Sequence, residues 1–288
     1  MRACDEGQIP DIWRTAIVTP VPKLTQPAAC SDYRPISVTP ILSHITEKII
    51  VNRWLRPSVP AELLLSQYAY RPTGSTTAAL VHIFHSLTRM LEDSAYVRAI
   101  LIDFTKAFDI ADHTVLMSKL AALQLPGNIY SWVGSFLTAR QQVCHFNGEV
   151  SMLKSFNLGF VQGSGLGPPL FLVLAQDLNT LSRNSELIKF ADDLTLLVPE
   201  NSDVSVATEF CKQDWANDNS MIINLTKSKE IILYNSRAIL ISIPDPIYGI
   251  ERISSAKLLG VYIQGNFSCE VHFKHITYYC FKSKTSYT

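Results

Sequence analysis

The chain has 288 residues, 47% of them apolar and 17% charged, a balance that excludes a disordered segment or a small cross-linked module. Lys and Arg total 25 and Asp and Glu total 25, so the whole-molecule charge gives no sign of a polyanionic partner, and any basic surface must be local. The six cysteines (Cys4, Cys30, Cys144, Cys211, Cys269, Cys280) are scattered without a CxxC pair, the N-terminus lacks a basic-then-apolar signal, and the longest apolar stretch, Leu170 to Ala175, is far short of a membrane span. These features predict a soluble intracellular protein, nuclear or cytoplasmic, with no membrane partner.

In chain order, TAIVTPVPK is rich in β-branched residues and predicts a strand ending in a proline-broken turn. Thr39-Pro40 predicts an N-cap followed by proline at the first helical position, with Ile41, Ile45 and Ile49 as the apolar repeat of the helix. A second helix is predicted from Ser75, with Leu80, Phe84, Leu87 and Leu91 as its stripe. VRAILIDF has strand length and ends in Asp103; a helical stretch runs to about Leu123, and QQVCHFNGEV reads as a hairpin around Asn147-Gly148. A Gly/Pro-rich turn opens an apolar helix near Pro168, and LIKF-ADD-LTLLV puts Asp192 and Asp193 at a tight hairpin turn. A helix through Phe210 and Trp215, the strand EIILY and a further strand KLLGVYI complete the pattern. Strands and helices interleave with hairpins but without a βαβ repeat, which predicts an α+β fold with helices layered on a mainly antiparallel sheet.

An acid at a strand end is usually only solvated, and an Asp pair suits any turn, so neither Asp103 nor ADD is specific alone. Their combination has chemical force. Two divalent ions about 4 Å apart can activate a 3′-hydroxyl and stabilise a leaving pyrophosphate, and they need several hard carboxylate ligands. A strand end facing a hairpin turn supplies them.

The run LIDFTKAFDIADH (101 to 113) resembles the first catalytic motif of reverse transcriptases from non-LTR, LINE-type retrotransposons of the jockey kind. VQGSGLGPPLF (161 to 171) resembles their template-and-substrate-gripping motif, and FADD (190 to 193) their metal-binding box. WRTAIVTPVPK and SDYRPISVTPILSHITEK resemble the fingers motifs, QYAYRPTGSTTAAL the segment after them, and NLTKSKE and KLLGVYI the last palm motifs. The motifs occur in family order from about residue 10 to 263.

The resemblance implies the fingers and palm of a right-hand polymerase: a fingers-like segment at 1–95, a palm at 96–263, and a short C-terminal segment at 264–288 where a thumb would be largely absent. It implies RNA-directed DNA polymerase activity, with RNA template, DNA primer and dNTPs as partners and two Mg²⁺ ions, replaceable by Mn²⁺, as cofactors. By the match, Asp103, Asp192 and Asp193 are metal ligands and catalytic, and Phe104 gives a backbone contact to the triphosphate. Phe108 falls at the aromatic steric gate against a ribose 2′-hydroxyl; the plain reading of the same ring is a core aromatic. Lys23 and Arg34 match the fingers positions that hold triphosphate oxygens, tasks suited to a point charge and a bidentate fork. Gln162 and Gly163 open the substrate-binding QGSG turn. Lys227 matches a lysine that protonates the leaving pyrophosphate, with Lys229 close enough to compete for the role.

Two other constellations have less support. GSGLG lacks the full dinucleotide fingerprint and its βαβ setting. Cys269, His272, His275 and Cys280 are zinc-type ligands but lack the usual long loop between pairs. The acids favour a working polymerase; the chain's end about 25 residues after the last motif favours a truncated or domesticated relic that folds and binds RNA without turnover.

Overall fold

The computed structural model describes residues 2–180, 182–202, 214–235 and 242–285. These form two compact units, each assembled from separate stretches of chain: 1–65, 106–177 and 218–221 in the first, 66–105, 178–217 and 222–288 in the second. Phe210, expected on a helix, lies outside the described residues, while Trp215 lies on the short helix Asp214–Asp218.

The first unit is built around a sheet of β1 (Thr15–Pro22), β2 (Tyr33–Val38), β4 (Arg140–Phe146), β5 (Glu149–Val150) and β6 (Lys154–Phe156), ordered β2-β1-β4-β5 with β6 beside β4. β1 and β2 are antiparallel, and β1 and β4 are parallel. The predicted hairpin after β4 turns at Asn147 and Gly148, both left-handed at φ 51 and 84, as a tight two-residue connection requires. Helices His113–Ala121, Gly127–Leu137 and Gly167–Leu174 supply the core, where Trp132 stacks on Phe136 and the latter two helices bury nearly every apolar side chain.

The helix Ile41–Ile50 forms where expected, but with Pro40 as N-cap rather than at the first helical position. Its isoleucine face is turned outward: Ile41 is 79% and Ile45 49% exposed, while Ser43, Glu47 and Ile50 are buried. The reason is polar. The Gly165 and Leu166 N–H groups, at the start of the Gly167–Leu174 helix, draw the Glu47 carboxylate inward.

The second unit carries β3 (Tyr96–Ile102), β7 (Glu186–Phe190), β8 (Asp193–Pro199), β9 (Lys229–Tyr234) and β10 (Glu251–Arg252) in the order β10-β9-β3-β8-β7, antiparallel except for β10 with β9. β3 is central and almost wholly buried, which explains its mainly apolar run; the charge it carries, Arg98, is buried and pairs with Glu230 at 3.1 Å. The Thr76–Met90 helix starts at Ser75, whose hydroxyl accepts the Ala78 N–H, and buries Ala79, Ile83, Leu87 and Met90 in the core shared with Val97 and Leu197. KLLGVYI is a two-stranded hairpin rather than one strand: β11 (Ser255–Leu258) and β12 (Val261–Gln264) join through left-handed Leu259 and Gly260. The C-terminal helix Glu270–Thr285 follows.

Candidate active site

The antiparallel register of β3 and β8 pairs Ile102 with Leu194, so the next residues, Asp103 and Asp193, face each other at the strand ends. On the other side of β8, Phe190 pairs with Asp193 and leaves Ala191 and Asp192 as the two-residue loop to β7. All three acids thus converge in the second unit. Their fields overlap: Asp192 is held above the usual carboxylate range by burial and by the Asp103 charge, and its own backbone N–H offsets part of this. Asp193 is raised by burial and by the charges of Asp192 and Asp103.

Asp103 Oδ2 is buried and has no hydrogen-bond partner among the described residues. Its backbone is tied on both sides, with its N–H donating to Ser228 Oγ at 3.1 Å and its carbonyl accepting the Asn224 N–H at 2.8 Å. The NLTKSKE turn therefore fixes where the Asp103 carboxylate starts. Among the described residues, no three His, Cys, Asp or Glu side chains form a ready ion cage. The acids still fit a hard divalent cation by donor kind, since all are carboxylate oxygens and one is buried and unpartnered.

Lys227 lies in the turn that ends at Ser228, and its side chain is exposed. Lys229 is engaged otherwise, donating to the Thr226 carbonyl and pairing with Glu251 at 2.7 Å. Phe104 is buried at 5% exposure, bridges in backbone to Ile223 and leans its ring on Trp215. Sequence reasoning missed Tyr70, a left-handed residue (φ 58) whose hydroxyl is pushed up by burial and by the charges of Asp192 and Asp193, and so stands in the field of the acid turn. It also missed Gln67, buried at 2% exposure next to that turn. Both lie in QYAYRPTG, which carried a resemblance but no assigned role.

The remaining predicted site residues lie in the first unit. Phe108 stacks face to face on Phe171 (centroids 4.9 Å apart, 17° between planes) and meets Phe160 edge-on, while staying half-exposed. The Gln162 amide donates to Asp109 Oδ1 at 2.6 Å, and the Gln162 carbonyl accepts the Ser37 N–H at 2.7 Å. Gly163, at φ 112, passes so close to β2 that a Cβ would stand 2.6 Å from the Ser37 carbonyl oxygen. Pro35, Ser37, Asp109, Phe160 and Gln162 line a cavity of about 240 Å³ there. Lys23 and Arg34 flank the β1–β2 hairpin; Arg34 is exposed, and the Lys23 ammonium donates to the Ser31 carbonyl at 2.8 Å. Of the zinc-type residues near the C-terminus, the two histidines are otherwise engaged: His272 Nδ1 accepts the Tyr262 N–H, and the His275 ring packs between Tyr262 and Tyr279.

Residues 21–263 match the family model described as reverse transcriptase (RNA-dependent DNA polymerase). The RNA-directed DNA polymerase from mobile element jockey of Drosophila melanogaster is 28% identical over 245 residues, which cover 80% of this chain and 27% of that protein. The probable RNA-directed DNA polymerase from transposon BS of the same species is 26% identical, covering 95% of this chain and 32% of that protein. The chain thus spans about a quarter to a third of the length of these relatives. Apo telomerase from Candida tropicalis superposes with a TM-score of 0.59 at 11% identity, covering 89% of this chain and 48% of that one, a likeness that shows the α+β fingers-and-palm fold. The resemblance to retrotransposon enzymes drawn from the ordered motifs is borne out, and the chain belongs to the reverse transcriptase (RNA-dependent DNA polymerase) family.

Proposed function

We propose that this chain is the RNA-directed DNA polymerase module of a non-LTR retrotransposon, adding dNTPs to the 3′-hydroxyl of a DNA primer on an RNA template. The observation that carries the reading is Asp103, placed opposite Asp193 at the strand ends, with its Oδ2 buried and unpartnered among the described residues. No hydrogen bond among the described residues explains three like charges gathered at one strand end. An ion-binding role does.

Asp103, Asp192 and Asp193 are the residues that would hold two divalent ions, Mg²⁺ or Mn²⁺. Such ions lower the pKa of the attacking hydroxyl and neutralise charge on the leaving pyrophosphate. Lys227 is the acid that protonates the pyrophosphate. It is preferred to Lys229 because its ammonium is exposed, whereas Lys229 is paired with Glu251. Lys23 and Arg34 hold triphosphate oxygens, and the Phe104 backbone completes that contact. Phe108 is the gate against a 2′-hydroxyl, its ring plane fixed by Phe171 and Phe160. Gln162, oriented by Asp109, and Gly163 present the substrate-binding turn. The three acids belong to the palm segment 96–263 and the β1–β2 hairpin to the fingers-like segment 1–95.

Primer extension on an RNA template with Mg²⁺ tests this reading. The parent extends the primer, and Asp192→Asn loses several kcal/mol of transition-state stabilisation, on the order of a thousandfold in rate. No extension by the parent overturns the polymerase reading and leaves a folded relic. Equal extension by both proteins overturns the assignment of the acids.

A further inference from the structure

The acid turn contains a donor that its own hairpin leaves without a partner. Phe190 and Asp193 close the ladder, so the N–H of Ala191, the first loop residue, has no place in it. Ala191 is only 7% exposed, so water does not readily serve that donor. Ala191 is also left-handed at φ 57, a conformation that a residue with a Cβ keeps only where its surroundings impose it.

Gln67 Oε1 accepts the Ala191 N–H at 3.0 Å and the Ala69 N–H at 2.9 Å. The residues around Gln67 are themselves pinned beside β7: the Tyr68 N–H donates to the Lys189 carbonyl at 2.8 Å, and the Lys189 N–H to the Ser66 carbonyl at 2.7 Å. A glutamine this deep, 2% exposed, has little conformational choice. One oxygen therefore joins two stretches of chain 124 residues apart at the position just before the acid pair.

We propose that Gln67 is a positioning residue for Asp192 and Asp193: its side-chain oxygen holds the Ala191 N–H and thereby fixes the left-handed turn that sets both acids relative to Asp103. The inference rests on the reading of the three acids as ion ligands and adds a residue outside that set. Gln67 acts through the backbone and touches neither ion nor substrate. Residues that orient metal ligands typically change metal affinity or activity ten- to a hundredfold when replaced. A residue that only anchored the Ser66–Ala69 segment would change stability and leave affinity alone.

The test is Mn²⁺ binding to the nucleotide-free protein, followed by loss of the free-ion electron paramagnetic resonance signal, with urea unfolding run on the same samples. Gln67→Met keeps length and removes the acceptor; Gln67→Glu keeps an acceptor oxygen; Gln67→Asn withdraws it by one methylene and serves if the Met variant does not fold. The expected result is Mn²⁺ affinity about tenfold weaker in Gln67→Met and Gln67→Asn, and within about threefold of the parent in Gln67→Glu. In primer extension, kcat falls in the same variants while KM for dNTP stays unchanged. Parent-like affinity in a folded Met or Asn variant overturns the proposal, as does a Glu variant no better than Met. The Asp192→Asn arm separates the two claims. If Asp192→Asn loses the ion while the Gln67 variants keep it, only the Gln67 inference fails. If the parent binds no Mn²⁺, or Asp192→Asn binds like the parent, the reading of the acids fails.

Discussion

Glu47 Oε2 accepts the backbone N–H of Gly165 at 2.7 Å, although the two residues are 118 positions apart. The same oxygen takes the Leu166 N–H, and Oε1 takes the Ser43 hydroxyl, so a fully buried carboxylate closes the start of the helix that follows the QGSG turn. Its charge also favours the protonated form of Arg140, whose pKa burial lowers to about 10. Glu47→Ala leaves these donors and a buried cation uncompensated and should cost about 3–5 kcal/mol. Glu47→Gln, which keeps an acceptor oxygen, should cost less than half as much. Urea midpoints of the two variants check this, and equal losses would refute the role given to the acceptor.

Gly163 and Gly127 make a matched pair. At Gly163 an added Cβ meets the Ser37 carbonyl oxygen at 2.6 Å with φ at 112, whereas at Gly127, the first residue of its helix, nothing lies within 4 Å. Gly163→Ala should destabilise by at least about 1–3 kcal/mol through strain and a shift of the turn. Gly127→Ala should be neutral or stabilise by about 0.4–1 kcal/mol. Differential scanning of the two proteins reads the contrast directly.

The proposed ion-binding role of Asp192 trades against stability. Because the pKa of Asp192 is raised by burial and by Asp103, its ionisation works against the fold as pH rises from the ordinary carboxylate range through the raised folded-state value. Asp192→Asn should therefore raise Tm in chelator, because the neutral amide avoids the burial cost and the repulsion from Asp103. On the proposed role, Mn²⁺ should raise the Tm of the parent and not that of the variant. A Tm in chelator below the parent's would contradict the electrostatic account.

Glu186 makes the opposite prediction. The His82 Nε2–H, at 3.2 Å, the Ser86 hydroxyl and Arg89 hold its pKa down at about 2, and the Tyr68 hydroxyl meets His82 Nδ1 at 2.8 Å. A depressed pKa means that the stabilisation is full above the ordinary glutamate value and is lost as pH falls from there toward 2. Glu186→Gln should lower stability at pH 7 by roughly 1.5–3 kcal/mol, with the gap to the parent narrowing below about pH 4. Urea unfolding at pH 7 and pH 3 measures the narrowing.

The elements legible in the sequence were those whose signals are local. Ser75 with Leu80, Phe84 and Leu87 marked a helix, Asn147-Gly148 marked a hairpin, and Asp192-Asp193 marked a turn, each recognisable within a few residues. The burial of the Thr76–Met90 helix is nevertheless centred on Ala79, Ile83 and Leu87, and it includes Ser86, which reaches Glu186. Gln67 and Glu47 were not legible. A buried glutamine or glutamate takes its meaning from donors more than a hundred residues away, and no local periodicity encodes such a partner. The outward face of Ile41 and Ile45 has the same origin: the i+4 repeat marks the helix, and the polar pull on Glu47 decides which side turns inward.

The central place of β3 sets a timetable for biosynthesis. Its neighbours β8 and β9 begin at Asp193 and Lys229, about 90 and 130 residues downstream of the point where β3 is complete. At ribosomal rates of ~5–20 residues per second, the strand Tyr96–Ile102 waits roughly 5–25 s for both edges to be covered. During that interval a strand-forming, uncharged stretch such as AILI is open to pairing with other nascent chains. The yield of native protein should therefore depend on translation speed and on chaperone supply more steeply than it does for a fold whose strands pair with their neighbours in sequence.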